Sequence, residues 1–282
     1  MDIRIEMIIK NAEQYLLSTE SNQSNLPELW KKHMIEPFWA DISKYAPFDI
    51  SFMQPSHIQG LDVLKEQIGL LAEVSLDELQ TKFMDITKTL PVEDDDPMLV
   101  AIYPMCNNNI TAKERQNGVV GAGAFGNIIL NVNPLANDWQ SWIPFVFAHE
   151  YHHKVWGHNW YVMREGNGLE GTLLESIINE GQADLFAESL FPNLIPQWNR
   201  PFDDATEAML WNKVKPMLFS TDRKANEVYM FGNEKEGLPW CMGYSFGRAI
   251  VADYLLNHSS ISFAELINVP AREIYAASRF SQ

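Results

Sequence analysis

Apolar residues recur at helical spacing through most of this chain and at strand spacing in two short stretches. Across residues 1–95 the pattern predicts four amphipathic helices, Ile3–Leu17, Pro27–Ala40, Gly60–Leu71 and Leu76–Leu90, because apolar positions at i, i+3, i+4 and i+7 line one helix face. Polar loops such as Thr19–Asn25 separate them, and Trp30, Phe38 and Trp39 read as core. Met98–Tyr103 and Asn127–Val132 are short apolar runs rich in branched residues and read as strands. Between the two regions lies Glu93-Asp94-Asp95-Asp96-Pro97. This run lacks the spaced ligands and turn glycine of a calcium loop and reads as a solvated linker. The expected division is therefore an N-terminal helical region, 1–95, and a second region, 96–282. Beyond Pro192 the pattern predicts a helix at Asp203–Lys213, a turn at Phe231–Gly237 and a helix at Tyr244–Asn257. No internal repeat or low-complexity tract is visible.

The second strand leads into a further helix. Ser141 is placed to cap it, Pro144 falls in its first turn, Phe145-Val146-Phe147-Ala148 is strongly apolar, and Gly157 supplies a stop. This helix carries His149-Glu150-Tyr151-His152-His153, the spacing H-E-x-x-H. Residues i and i+4 lie one above the other, so His149 and His153 can offer two imidazole nitrogens to one tetrahedral metal. Glu150 flanks such a metal without ligating it, where a general base for an activated water belongs. His149 and His152, at i and i+3, form an alternative pair. Glu150 lies on the side of His153, so the i, i+4 pair gives the better geometry, and His152 is left as a supporting, substrate-facing or partly exposed residue.

A catalytic site needs a third protein ligand and an open position. His158 follows His153 in the wrong register for the longer H-E-x-x-H-x-x-G-x-x-H pattern. Thr172-x-x-Glu175 is a capping box that opens a downstream helix, with Ile177, Ile178, Ala183 and Leu185 on the helical period. Glu180 and Asp184 stand one turn apart on it. Glu180 can complete a His-His-Glu set, which suits Zn2+, while Asp184 can accept the spare ring N–H of a ligand histidine. Gly181 costs about 1 kcal/mol in a helix relative to alanine; its missing side chain is expected to let this helix approach the His149 helix. Glu175 and Glu188 read as part of a solvated acidic face.

H-E-x-x-H followed by Asn179-Glu180-x-x-x-Asp184 resembles the gluzincin metallopeptidases, and more closely the YjaZ-like family of predicted zinc-dependent proteases. The resemblance runs from about Val100 to the C-terminus. It includes Ala148–His153, Leu174–Gly181, Gly243-Tyr244-Ser245-Phe246-Gly247 and Leu266-Ile267-Asn268-Val269-Pro270. It implies an α+β, mostly helical fold with a small antiparallel or mixed sheet above the metal helix and a helical C-terminal half. In gluzincins the last strand before the metal helix is the sheet edge that pairs with an extended peptide; here that strand is Asn127–Val132. The small residues of Gly118–Gly126 would leave the cleft roof without bulk. Gly121-Ala-Gly123-Ala-Phe-Gly126 has dinucleotide-binding spacing but precedes a strand rather than a helix. Aminopeptidases of the same clan carry a carboxylate near this strand that grips a free amine; Gly121–Asn127 has none, which points to internal peptide bonds.

The mechanism this implies places zinc on His149, His153 and Glu180, with Glu150 as general base. Tyr244, or in reserve Tyr229, is the expected donor to the oxyanion, and a peptide or unfolded protein is the expected substrate. A non-catalytic metal-containing protein, gripping peptides as a chaperone-linked adaptor, is the alternative. The intact Glu150 speaks against it, because a purely structural zinc site is closed by four protein ligands. Hydrolysis of a non-peptide bond would use similar chemistry. The net charge of −16, from 37 acidic and 21 basic residues, disfavours nucleic acid and anionic membranes as partners. Neither a run of eighteen apolar residues nor a secretory leader is seen. Cys106 and Cys241 read as reduced thiols, so the expected setting is cytoplasmic. Oligomeric state is not legible in the sequence.

Overall fold

In the computed structural model the described residues are 2–21, 25–58, 60–92 and 96–282. Most of the acidic run, Glu93–Asp95, and the middle of the Thr19–Asn25 loop lie outside them. The chain divides into two compact units, Met1–Lys154 and Val155–Gln282.

The first unit is built on a four-stranded mixed sheet of order β1-β2-β4-β3, with β1 at Ile3–Met7, β2 at Met98–Pro104, β3 at Val119–Ala124 and β4 at Asn127–Val132. β1 runs parallel to β2 (Ile5 opposite Val100) and β2 parallel to β4 (Ile102 opposite Leu130). β3 runs antiparallel to β4, with Gly121 opposite Leu130. Side chains alternate between sheet faces. Leu99, Ala101, Tyr103, Ala124 and Ile129 share a core with the helices α1 (Ile9–Ser21), α2 (Leu26–Trp30), α3 (Glu36–Ile42) and α4 (Leu61–Ala72). Burial inside this core raises the pKa of the Tyr103 phenol. Val100, Ile102, Ile128 and Leu130 point to the other face and are fully buried.

The opening segment corrects the sequence reading. Ile3–Leu17 is not one helix: Ile3–Met7 forms β1 and the helix begins at Ile9. Ile-Arg-Ile-Glu-Met alternates with period two, and the partner strand that decides the matter lies about ninety residues away in sequence. The predicted helix Pro27–Ala40 is present but contains a π turn, Lys31–Ile35, between α2 and α3. Pro37 has no N–H to give the His33 carbonyl; that carbonyl instead accepts the Asn11 side-chain amide at 3.0 Å.

After α5 (Leu76–Thr89) and α6 (Ile110–Arg115), the sheet leads into α7 (Trp139–Gly157). Ser141 does not cap α7, which starts two residues earlier, and Pro144 sits inside the helix rather than in its first turn. Nor does Gly157 stop the chain: with φ −62° it passes directly into a π-helical segment, His158–Met163.

In the second unit α8 (Leu173–Leu190) packs along α11 (Met242–Asn257). Their apolar faces, with α9 (Asp204–Val214) and α10 (Arg223–Phe231), bury a core that includes Ile177, Ile178, Trp211, Phe246 and Ile250. Two short helices, α12 (Phe263–Leu266) and α13 (Ala271–Ala276), complete it. Trp160 donates to the Ile267 carbonyl at 2.8 Å and Trp211 to that of Phe280 at 3.2 Å, tying the chain end down. The architecture is mostly helical with one small mixed sheet, as the α+β reading expects. Among the described residues no helix is long and apolar enough to cross a membrane, and neither cysteine is disulfide-bonded.

Candidate metal centre

α7 is fixed in the first unit by aromatic packing on the turn preceding the histidines. Phe147 stacks on Phe83 of α5 with centroids 3.7 Å apart, and Tyr151 stacks on Phe147 at 5.9 Å. The Tyr151 hydroxyl donates to the Leu90 carbonyl at 2.8 Å, satisfying one of the groups that a helix C-terminus leaves open. With Tyr151 pinned, the residues on either side of it have little freedom. His149 and Glu150 are buried and His153 is half-buried. The Nε2 atoms of His149 and His153 lie 3.0 Å apart, with the rings nearly perpendicular. Two imidazole nitrogens on one tetrahedral zinc, at about 2.0–2.1 Å each, stand roughly 3.3 Å apart. The observed separation is close to that value. His152 is fully buried, which removes the partly exposed option for it.

Glu150 has a neighbour that the sequence reading did not identify. A Cβ placed on Gly121 of β3 would collide with Glu150 Cγ and lie 2.6 Å from its Oε1 and 2.7 Å from Val146 Cγ1. Gly123, two residues along the same strand face, leaves 3.5 Å to Glu150 Oε2. Glycine at 121 is what allows the strand to pass over the carboxylate. The strand concerned is β3, which ends the sheet, whereas β4 is an interior strand with neighbours on both sides. The expectation that Asn127–Val132 forms the sheet edge is thereby corrected. The pattern did not predict a strand within Gly118–Gly126, because glycine and alanine carry little strand propensity.

In the second unit, Thr172 and Glu175 form the expected capping box: the Thr172 N–H donates to Glu175 Oε2 at 2.9 Å and the Glu175 N–H to Thr172 Oγ1 at 3.4 Å. Glu175 is thus a helix-start residue rather than part of a solvated face. Two turns on, Glu180 is half-buried and Asp184 fully buried. Trp198 Nε1–H donates to Asp184 Oδ1 at 3.0 Å, a partner the sequence did not signal. Gly181 serves a different contact from the expected one. A Cβ there would meet the carbonyl carbon and oxygen of Gly247 and lie 2.8 Å from Arg248 N, so it allows α8 and α11 to cross backbone to backbone. Glu188 is not solvated either. It takes two bonds of 2.8 Å from the Arg248 guanidinium and one of 2.9 Å from Asn199, and the carboxylate raises the arginine's pKa.

Tyr244 lies in the first turn of α11, half-buried, with its ring 6.1 Å from that of Phe231; Tyr229 is half-buried on α10. Gly243 gives room to Met230, whose Cα would be 2.7 Å from an added Cβ.

One ligand atom from each of His149, His153 and Glu180 lies within 4.8 Å of the other two. Among the described residues this is the group of histidine, cysteine and acidic side chains that can hold a metal ion, and His158 is not in it. Two imidazoles and a carboxylate match the donor chemistry of zinc. No curated protein and no solved structure matches this chain. The sequence profile of one family does match it, over residues 75–276, and on that span the chain belongs to the family described as predicted Zn-dependent protease (DUF2268).

Proposed function

We propose that this protein is a zinc-dependent endopeptidase with a gluzincin-type site: His149, His153 and Glu180 as ligands, Glu150 as general base and Asp184 supporting the ligand set from behind. The observation that carries the reading is the convergence of the three donor atoms together with a buried Glu150 held under a glycine of the edge strand. When bound, zinc lowers the pKa of a coordinated water to about 7 and polarises a carbonyl. Glu150 accepts the proton lost by the attacking water and delivers it to the leaving amine nitrogen. The phenol of Tyr244, with Tyr229 in reserve, donates to the developing oxyanion. An extended peptide or unfolded segment supplies the substrate, pairing with the open edge of β3 as an added strand. Nothing comparable favours the adaptor reading, since gripping a peptide gives no reason to bury a carboxylate against Gly121.

The test is zinc analysis of the purified protein paired with digestion of a denatured protein, with and without chelator. Zinc at about one per chain and chelator-sensitive cleavage are expected. Glu150→Gln is expected to retain zinc and lose at least about 100-fold in turnover; full activity in that variant removes the mechanism. Stoichiometric zinc in Glu180→Ala takes Glu180 out of the ligand set.

A further inference from the structure

We infer that Phe125, backed by Phe48, is a specificity-determining residue that receives a large apolar or aromatic side chain from the extended peptide lying along β3. The register pairs Ala124 with Asn127, leaving Phe125-Gly126 as a two-residue hairpin turn with φ of +51° and +115°. Two consecutive positive φ values are the signature of a type I′ turn, which favours Asn-Gly, Asp-Gly or Gly-Gly. A phenylalanine in the left-handed region suffers a steric clash that glycine escapes and asparagine tolerates. Burial does not compensate, for Phe125 is 43% exposed. Its ring meets Phe48 edge to face at 5.1 Å, and Phe48 is itself 54% exposed.

Neither turn geometry nor core packing selects an aromatic residue here, so a strained, exposed ring calls for a binding role. Its position supplies one. Phe125 stands where β3 ends, on the same strand whose Gly121 and Gly123 lie against Glu150. At about 3.3 Å per residue, the ring is roughly 7–13 Å along the strand from that carboxylate. A peptide laid on the edge would present to it a side chain two to four positions from the bond attacked. The hairpin base is rigid enough to hold the ring there. Asn127 accepts from the Leu99 N–H at 2.9 Å and donates to the carbonyls of Asp41 and Ile42, and a Cβ added at Gly126 would lie 3.4 Å from the Tyr45 ring.

The inference rests on the peptidase reading for its cleavage readout, and a binding readout separates the two. Peptides with a single Phe scanned through a Gly/Ser/Ala background are digested by the zinc-loaded protein, and the cut sites are mapped by mass spectrometry. The same peptides are titrated against the Glu150→Gln protein by fluorescence anisotropy. The expected result is about tenfold better use of peptides with Phe at one fixed position two to four residues from the cut. Phe125→Asn should bring that ratio near one, mainly through KM, with Tm unchanged or raised because asparagine suits the turn. Phe48→Ser should lower the ratio in the same direction. An unchanged Phe preference in Phe125→Asn overturns the inference, as does cleavage with no positional preference in the natural protein. Should the natural protein cleave nothing while Glu150→Gln still prefers Phe peptides in a Phe125-dependent way, the binding role stands and the peptidase reading falls. Absence of both cleavage and binding sinks both.

Discussion

Gly121 and Gly181 are both backbone positions where a side chain has no room, yet what fills the space differs. At Gly121 the neighbours are side chains, those of Val146 and of Glu150, the residue assigned the chemistry. At Gly181 it is the backbone of Gly247 on α11. A carboxylate can swing aside on its own torsions, whereas a packed helix backbone can move only by shifting the whole α8–α11 contact. The same Gly→Ala change should therefore damage function at one site and stability at the other. Two glycines that look alike in the sequence thus separate a strand lying over the proposed general base from a backbone-to-backbone helix crossing.

The sharpest way to break this contrast is Gly121→Ala. The added methyl pushes Glu150 away from its position, and a displacement of about 1 Å in a catalytic group can cost 10²-fold in rate. Turnover should fall by about that factor while zinc content stays near one per chain. Stability should move little, because alanine loses less backbone entropy than glycine on folding. Gly123→Ala is the control: its Cβ would lie 3.5 Å from Glu150 Oε2, an ordinary contact, and kcat/KM should stay within about threefold, under 1 kcal/mol. Equal losses in the two variants would mean that β3 acts through strand flexibility rather than through the space over Glu150.

Gly181→Ala comes next. Alanine gains about 1 kcal/mol of helix propensity, but the clash with Gly247 and Arg248 is with backbone, and overpacking costs roughly 1–3 kcal/mol. A net loss of about 1–2 kcal/mol in urea or thermal unfolding is expected, with turnover per folded molecule preserved. A stable Gly181→Ala protein that has lost zinc would restore the role first read from the sequence, in which this glycine serves the metal site directly.

These two positions also mark where the sequence was legible. The spacing of His149, Glu150 and His153, the capping box at Thr172 and the strands at Met98 and Asn127 were readable because each is set by residues within a few positions of one another. The α+β, mostly helical outline was implied by the family resemblance, and these local patterns agreed with it. What the sequence did not disclose depends on partners far along the chain. Ile3–Met7 becomes a strand because β2 is there to receive it. β3 rather than β4 is the edge because of sheet order. Gly181 faces Gly247, and Glu188 finds Arg248 sixty residues away. The family match begins at Ser75, the N-cap of α5, rather than near Val100. Within that span α5 supplies Phe83 to the Phe147 stack, and its C-cap residue Leu90 supplies the carbonyl for Tyr151. A sequence search for the site would have needed to treat Gly121 and Trp198 as candidates, and neither carries a chemical group that advertises metal or proton transfer.

The smallest expected effect concerns how α8 is held. If the α8–α11 crossing sets the helix, its capping box should matter only locally. Thr172 satisfies the Glu175 N–H and Glu175 satisfies the Thr172 N–H, and the same carboxylate accepts from the Glu170 N–H at 2.9 Å. Thr172→Ala removes one of these acceptors and should cost about 1 kcal/mol in denaturant unfolding, with Thr172→Ser recovering most of it. Glu180 lies two turns beyond the cap, and Leu173, Leu174, Ile177 and Ile178 between them are buried, so zinc affinity should shift by less than about twofold. A larger loss of zinc affinity in Thr172→Ala than in Gly181→Ala would invert the comparison. The start of α8, and not its crossing with α11, would then be what aims the third ligand.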